Sequence, residues 1–356
     1  MRVQPRLREP NLWRRAIYID FEGRANEPAS FLGSFGDQGW AVDVVEQELW
    51  PAAKKGHHRG MLRASTLTHT LAELRRQCES QQCVIASWST REIREIVAST
   101  AISDLEKKWW QENLINATPI AKRFAKALSI EIKTRQSSFG PGENRASLAS
   151  FMEATSYRVP KVHGPGQSAD RLLRVRKHLR SKKQFNRLPP GAKRAWTNAL
   201  GHNFHDCVGF KHVMVTLSEI YELAQVYLRT ELTSDNRGKF VALMAHPILS
   251  ARTVHVITAW NPGSDRPRQS ENECANLRLR DEIAKVSDEL FPALGFDPSS
   301  DHFEESWAVV GLSDRRARAL GRKFRQVAVF RVRNGMQTVL SCDGTWQVSR
   351  KLASEP

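Results

Sequence analysis

Apolar and polar positions along the first hundred residues outline short strands and helices. Ala16–Glu22 (AIYIDFE) is a β-rich run, and Ala29–Phe35 and Trp40–Leu49 are two more. Gly36-Asp37-Gln38-Gly39 between the last two reads as a hairpin turn. Lys54–Gly60 (KKGHHRG) is a polar loop. Helical spacing follows through Leu67, Leu71, Leu74 and Cys78, predicting a helix over Thr66–Cys78. Cys83–Trp88 (CVIASW) is a buried strand, and Ser89/Thr90 cap a helix carrying Ile93, Ile96 and Val97. The expected order is three adjacent antiparallel strands, a helix, a parallel strand and another helix.

The pattern then turns helical. Ala117–Leu128 is amphipathic, Ser137–Asn144 is a loop, Ser147–Ala154 a short helix and Val162–Gly166 a Gly/Pro loop. Two basic helices are expected within 168–200, broken by Pro189-Pro190, then a long helix over about Phe204–Arg229. Ser234-Asp235-Asn236-Arg237-Gly238 reads as a turn between two domains, 1–235 and 239–356. In the second, Thr253–Trp260, Trp307–Gly311, Val327–Val332 and Thr338–Ser341 are strands, and 270–289 and Asp314–Phe324 are helices. That is a compact α+β module.

Composition sharpens this. The 356 residues carry 54 Lys+Arg against 38 Asp+Glu, a formal charge of +16. Residues 1–238 hold 37 basic and 24 acidic residues, so most of the excess lies in the first part. Its densest stretch is Arg171, Arg174, Arg176, Lys177, Arg180, Lys182, Lys183, Arg187, Lys193 and Arg194, with no acid among them. Such density is expected to follow the phosphates of a nucleic acid, although a solvated helix face has the same composition. Five scattered cysteines without a CxxC support neither a disulfide framework nor a zinc ribbon. No apolar run approaches the ~20 residues of a membrane span. No secretory signal is visible, so a cytoplasmic protein with no membrane partner is expected.

Asp20 and Glu22 alternate on one strand and so face the same way. Two carboxylates on an apolar strand repel each other and lose hydration, and a divalent cation between them removes both penalties. The second constellation is His202-Asn203-Phe204-His205-Asp206 at the start of the long helix. The alternative for both is a set of solvated charges. Zinc on His202, His205, His212 and Cys207 lacks any recognised ligand spacing.

With these motifs the first part resembles the DEDD family of ribonuclease-H-fold nucleases, above all a bacterial branch of ribonuclease-H-like exonucleases. IYIDFEG resembles the family's first motif, HNFHDCVGF its last, and SLASFMEATSYRVPKV an intervening segment. The resemblance implies a two-metal nuclease acting on DNA or RNA, with Asp20, Glu22 and Asp206 binding two Mg²⁺ or Mn²⁺ ions. His202 would be general base or water orienter, with His205 competing. The family's second motif usually brings an aspartate after the fourth strand. Here Glu92 is the candidate, and Asn116 stands where relatives have an aspartate. The runner-up is therefore a catalytically eroded nucleic-acid-binding subunit of a larger nucleoprotein or defence complex.

ITAWNPGS, ENECANLRLR, EESWAVVGL and FRQVAVFRV resemble a small bacterial domain of unknown function. Asn272 and Asn276 lie one helical turn apart. With Trp260, Asn261, Ser264, Glu305, Ser306 and Gln326 they are expected to line a polar pocket for a base or nucleotide. The competing account is a turn, helix caps and satisfied buried amides. A protein partner, if any, would bind through this second domain. The expected class is α/β, a ribonuclease-H-like mixed sheet with helical elaborations followed by a small α+β domain.

Overall fold

A computed structural model describes residues 5–24, 27–53, 60–136, 144–145, 147–164, 167–265, 267–300 and 302–352. Most of the expected loops at Lys54–Gly60 and Ser137–Asn144, and residues 165–166 of the loop at Val162–Gly166, lie outside the described residues. The chain is mixed α/β and forms two compact units, Met1–Ala125 with Glu131–Glu219, and Lys126–Ile130 with Ile220–Pro356. The division thus falls inside the long helix, before the expected turn at 234–238. No described helix is long and apolar enough to cross a membrane.

In the first unit, α1 (Pro10–Arg15) precedes strands β1 (Ile17–Glu22), β2 (Phe31–Gly36) and β3 (Gly39–Val44). After a short helix α2 (Trp50–Ala53) come β4 (Gly60–Ala64), α3 (Leu67–Gln81), β5 (Ile85–Ser87), α4 (Arg91–Ala98) and α5 (Asp104–Asn113). Strand β6 (Leu114–Asn116) and α6 (Thr118–Ala127) follow. The sheet order is β4-β3-β2-β1-β5-β6. β1, β2 and β3 pair antiparallel, while β5 joins β1 and β6 joins β5 in parallel. The parallel edge strand β4 was not expected. Arg63 pairs there with Asp43 opposite it on β3, which places a buried carboxylate on a partner and fixes the register.

Alternation along β1 sorts its side chains between two layers. Ile17, Ile19 and Phe21 join Leu71, Leu74, Ile96 and Trp110 in one core. Tyr18 faces the other way and meets Phe210 edge-on, with ring centroids 4.7 Å apart. On that side Phe31, Trp40, Val42 and Val44 pack under Leu172, Val175, Trp196 and Ala199. A two-stranded ribbon, β7 (Arg135–Gln136) with β8 (Asn144–Arg145), and α7 (Leu148–Ala154) complete the connection. The covering helices are α8 (Ser168–Lys182) and α9 (Pro190–Arg229), the latter a single helix of 40 residues. The second basic helix and the long helix are therefore one. Pro190 opens it, at a position where a missing N–H costs nothing.

The second unit is an eight-stranded antiparallel sheet. Its strands are β9 (Glu231–Asn236), β10 (Lys239–Ala242), β11 (Val254–Thr258), β12 (Leu290–Phe296) and β13 (Phe303–Val310), then β14 (Ala328–Arg333), β15 (Met336–Ser341) and β16 (Gln347–Lys351). The order is β10-β9-β12-β13-β11-β14-β15-β16. The expected interdomain turn is the β9–β10 hairpin, with Arg237 and Gly238 at φ 56° and 83°. Helices α10 (Gln269–Ala284) and α11 (Asp314–Lys323) cover one face through Leu279, Ile283 and Ala317.

Candidate metal centre and second-unit cavity

Asp20 and Glu22 leave β1 on the face that α9 covers, and α9 presents His202, Asn203 and Asp206 to them. The His202 Nε2 lies 3.4 Å from Asp206 Oδ2 and 3.7 Å from Glu22 Oε1. One ligand atom from each of Glu22, His202 and Asp206 lies within 4.8 Å of the others. Glu22 is 6% exposed, and its Oε1 is buried with no hydrogen-bond partner. A buried carboxyl oxygen without a hydrogen bond beside a second carboxylate, with an imidazole next to both, is an arrangement that a divalent cation fits.

The ring orientation of His202 is fixed. Its Nδ1 lies 2.8 Å from the His163 carbonyl oxygen, which only accepts, so Nδ1 carries a proton and Nε2 faces the carboxylates. Burial pushes the Glu22 carboxyl up to about 7. The positive charge of His202 opposes that rise and Asp206 adds to it. Asp206 is raised by burial, with His202 working against it. Burial acts to lower His202, but Asp206 and Glu22 outweigh it and hold the imidazole above its ordinary value.

Asp20 and Glu92 stand outside this compact set. Burial raises the Asp20 carboxyl well above the carboxylate range, and the charges of Glu22, Asp206 and Glu92 add to it. Asn203 donates to Asp20 Oδ2 at 2.9 Å. Its own Oδ1 accepts from Trp40 Nε1 at 3.2 Å. Gly33, opposite Asp20 on β2, leaves room for this amide, since a Cβ there would collide with it. Glu92, in the first turn of α4, is buried and accepts from Ser89 Oγ at 3.0 Å. The Asn116 carboxamide oxygen accepts from the Thr118 backbone N–H. Asn203 has no role in the sequence-based expectations, and its place three residues before Asp206 on the same helix is the signal that points to it.

The zinc set does not assemble. His205 Nδ1 lies 3.1 Å from the Tyr157 hydroxyl, and His212 Nε2 contacts the Thr155 carbonyl at 2.8 Å. Cys207 is fully buried, which holds its thiol protonated.

The basic run divides. Arg176 is a correction to the expected phosphate-following surface. It is 7% exposed and bonds Glu27, Ser30 and Glu46, so it ties α8 to the sheet. Arg180 pairs with Glu48, and Lys193 donates to the Asn186 carbonyl. Arg171 donates to the carbonyls of Asn198 and Val162. Arg174, Lys177, Lys182, Lys183, Arg187 and Arg194 are exposed.

In the second unit, a cavity of about 390 Å³ collects Tyr227, Asn261, Glu304, Ser306, Gln326 and Phe330 among its walls. Asn261 adopts a left-handed backbone with φ 48°, held by its N–H to Asn272 Oδ1 at 3.0 Å. Its Nδ2 donates to Glu304 at 2.9 Å, and Gln326 Nε2 donates to the Trp260 carbonyl at 2.8 Å. Four expectations are corrected. Glu305 is exposed on the opposite face of β13, because neighbouring strand residues point opposite ways, and Glu304 takes its place. Trp260, Asn272 and Asn276 are buried and do not line this cavity. Asn272 acts by holding Asn261. The Ser264 side chain lies outside the described residues.

The model of a family described as protein of unknown function (DUF3293) matches residues 257–329, inside the second unit. No curated protein and no solved structure matches the chain.

Proposed function

We propose that this protein is a metal-dependent nuclease that hydrolyses phosphodiester bonds of DNA or RNA, acting as a 3′→5′ exonuclease. The observation that carries the reading is the unpartnered buried Glu22 Oε1 facing His202 and Asp206. The order β3-β2-β1-β5-β6, with the carboxylates on the central β1, favours a ribonuclease-H-like core. Glu22 and Asp206, with Asp20 beside them, would hold Mg²⁺ or Mn²⁺. When bound, two such ions supply an activated water and charge for the leaving oxygen. His202, held at Nδ1 by His163, presents Nε2 to take the proton of the attacking water. Glu92 adds negative charge beside Asp20. The test is cleavage of end-labelled single- and double-stranded DNA and RNA with Mn²⁺ or Mg²⁺, compared with excess EDTA and with Asp206→Asn. Metal-dependent shortening by wild type alone supports the reading. Equal behaviour of wild type and variant ends it. Binding without turnover is the second reading, favoured by the amide of Asn116 acting as a backbone cap.

A further inference from the structure

A second feature lies beside the metal centre. Arg171 and Arg174 of α8 and Arg194 and Asn198 of α9 line a cavity of about 430 Å³, and Asp170 is the one acidic residue among its described walls. On each helix the lining residues recur at intervals of three and four, so one stripe of α8 faces one stripe of α9. The stripes begin in the first turns of their helices, at Asp170 and Gly191, where the backbone adds positive partial charge, and run on into the turns that carry Arg174 and Arg194. Arg174 and Arg194 are exposed, and neither makes a hydrogen bond or ion pair with a described residue. Two uncommitted guanidiniums in a concave polar cavity suit a phosphate.

The cavity adjoins the carboxylates. Arg171 donates to the Val162 carbonyl at 2.7 Å, and the next carbonyl, of His163, holds His202 at 2.8 Å. Consecutive peptide groups thus anchor one cavity arginine and the imidazole of the metal centre. Arg171 also donates to the carbonyl of Asn198, one turn before His202 and so ~6 Å from it along α9. The charges of Arg171 and Glu22 act on each other.

We propose that the α8–α9 cavity is a phosphate subsite, in which Arg174 and Arg194 grip the backbone of the strand whose cleavable phosphodiester lies at Glu22, His202 and Asp206. The proposal rests on the nuclease reading and names the part of the substrate recognised, the sugar-phosphate backbone independent of base. It narrows the ten-residue basic run to two binding arginines, with Arg171 positioning them against the centre. Arg176, paired with carboxylates, is excluded.

The test is fluorescence anisotropy of a labelled twelve-nucleotide single strand in EDTA across a salt series. Wild type is compared with Arg174→Glu/Arg194→Glu and with Lys108→Glu/Lys122→Glu, an equal charge change on α5 and α6. The expected result is at least tenfold weaker binding for the arginine pair. Its salt slope falls by about 1.4, from two lost phosphate contacts at ~0.7 each. The lysine pair should show at most a small change. Arg174→Gln/Arg194→Gln gives the same reading should charge reversal disturb the helices. With metal present, the glutamine pair should raise KM and leave kcat near wild type. If wild type binds and the arginine variants bind equally well, the subsite is overturned while the nuclease reading stands. If the lysine pair weakens binding as much as the arginine pair, net charge alone is at work and the subsite is overturned. If wild type neither binds nor cuts, the nuclease reading fails and the subsite with it. Competition by inorganic phosphate alone, with no gain from the oligonucleotide, marks a free-anion site and also overturns the proposal.

Discussion

Asn203 donates to the Asp20 carboxylate at 2.9 Å and to the Asp20 backbone carbonyl at 3.2 Å, so the helix that carries Asp206 also locks the strand that carries Glu22. Gly33 makes the contact fit. Asn203→Ala removes the acceptor of the Trp40 side-chain N–H and the donor to Asp20, at a cost of about 1–3 kcal/mol. Gly33→Ala displaces the same amide from the other side. Both variants should lower the thermal midpoint and reduce metal-dependent cleavage more than their lost stability explains. Thermal unfolding alongside cleavage at a temperature well below the midpoint measures this.

Glu22 makes stability depend on pH. Its carboxyl ordinarily titrates at 4.5 and is pushed up to about 7 in the fold by burial. The folded state therefore keeps the proton while the unfolded chain loses it. Stability is highest below pH 4.5 as far as this group is concerned, and falls as pH rises to about 7. The shift corresponds to roughly 3 kcal/mol. Without metal, Glu22→Gln should lose less stability than wild type between those pH values, and at pH 8 it should be the more stable protein. Adding Mn²⁺ should stabilise wild type and have little effect on the variant. Urea titrations at stepped pH, with and without Mn²⁺, read both effects.

The basic run separates by environment. Arg176→Met removes the buried partner of Glu27 and Glu46, which are themselves partly exposed, and should cost about 2 kcal/mol. Oligonucleotide affinity of the folded fraction should stay near wild type. Chemical unfolding and anisotropy on one preparation distinguish this from loss at a binding residue.

Two neighbouring glutamates on β13 should differ. Glu304→Ala removes the acceptor of Asn261 and should destabilise by about 1 kcal/mol. Glu305 is exposed, and its alanine variant should stay within about 0.5 kcal/mol of wild type. Urea midpoints of the two variants measure the difference.

Much of this architecture was legible in the residues because alternation and helical spacing report burial directly. β1 and α3 lie where their apolar spacing put them, and Thr66 caps α3 by accepting from the His69 N–H. The convergence of β1 with the HNFHD segment of α9 is what the family resemblance implies, and no local pattern of the chain carries it. Other parts carried weaker signals. β4 (GMLRA) lacks alternation, and β12 contains Pro292 and Gly295, which ordinarily argue against a strand. Glu305 is the expected lining residue because the resemblance carries a Glu-Ser pair, and a motif does not report that alternation on β13 turns its neighbour Glu304 toward the cavity. The burial of Arg176 depends on Glu27 and Glu46, more than a hundred residues away, and no local pattern reports such a pair.

The central claim is that Glu22 and Asp206, with Asp20 and the base His202 beside them, hold a divalent cation for phosphodiester hydrolysis. The most direct measurement is Mn²⁺ titration by calorimetry on wild type, Glu22→Gln and Asp206→Asn, with cleavage of a labelled single strand followed on the same samples. The account predicts saturable Mn²⁺ binding and cleavage by wild type, both lost in the two variants while their folds persist by circular dichroism. Mn²⁺ binding or strand cleavage that is unchanged in Glu22→Gln and Asp206→Asn would contradict it.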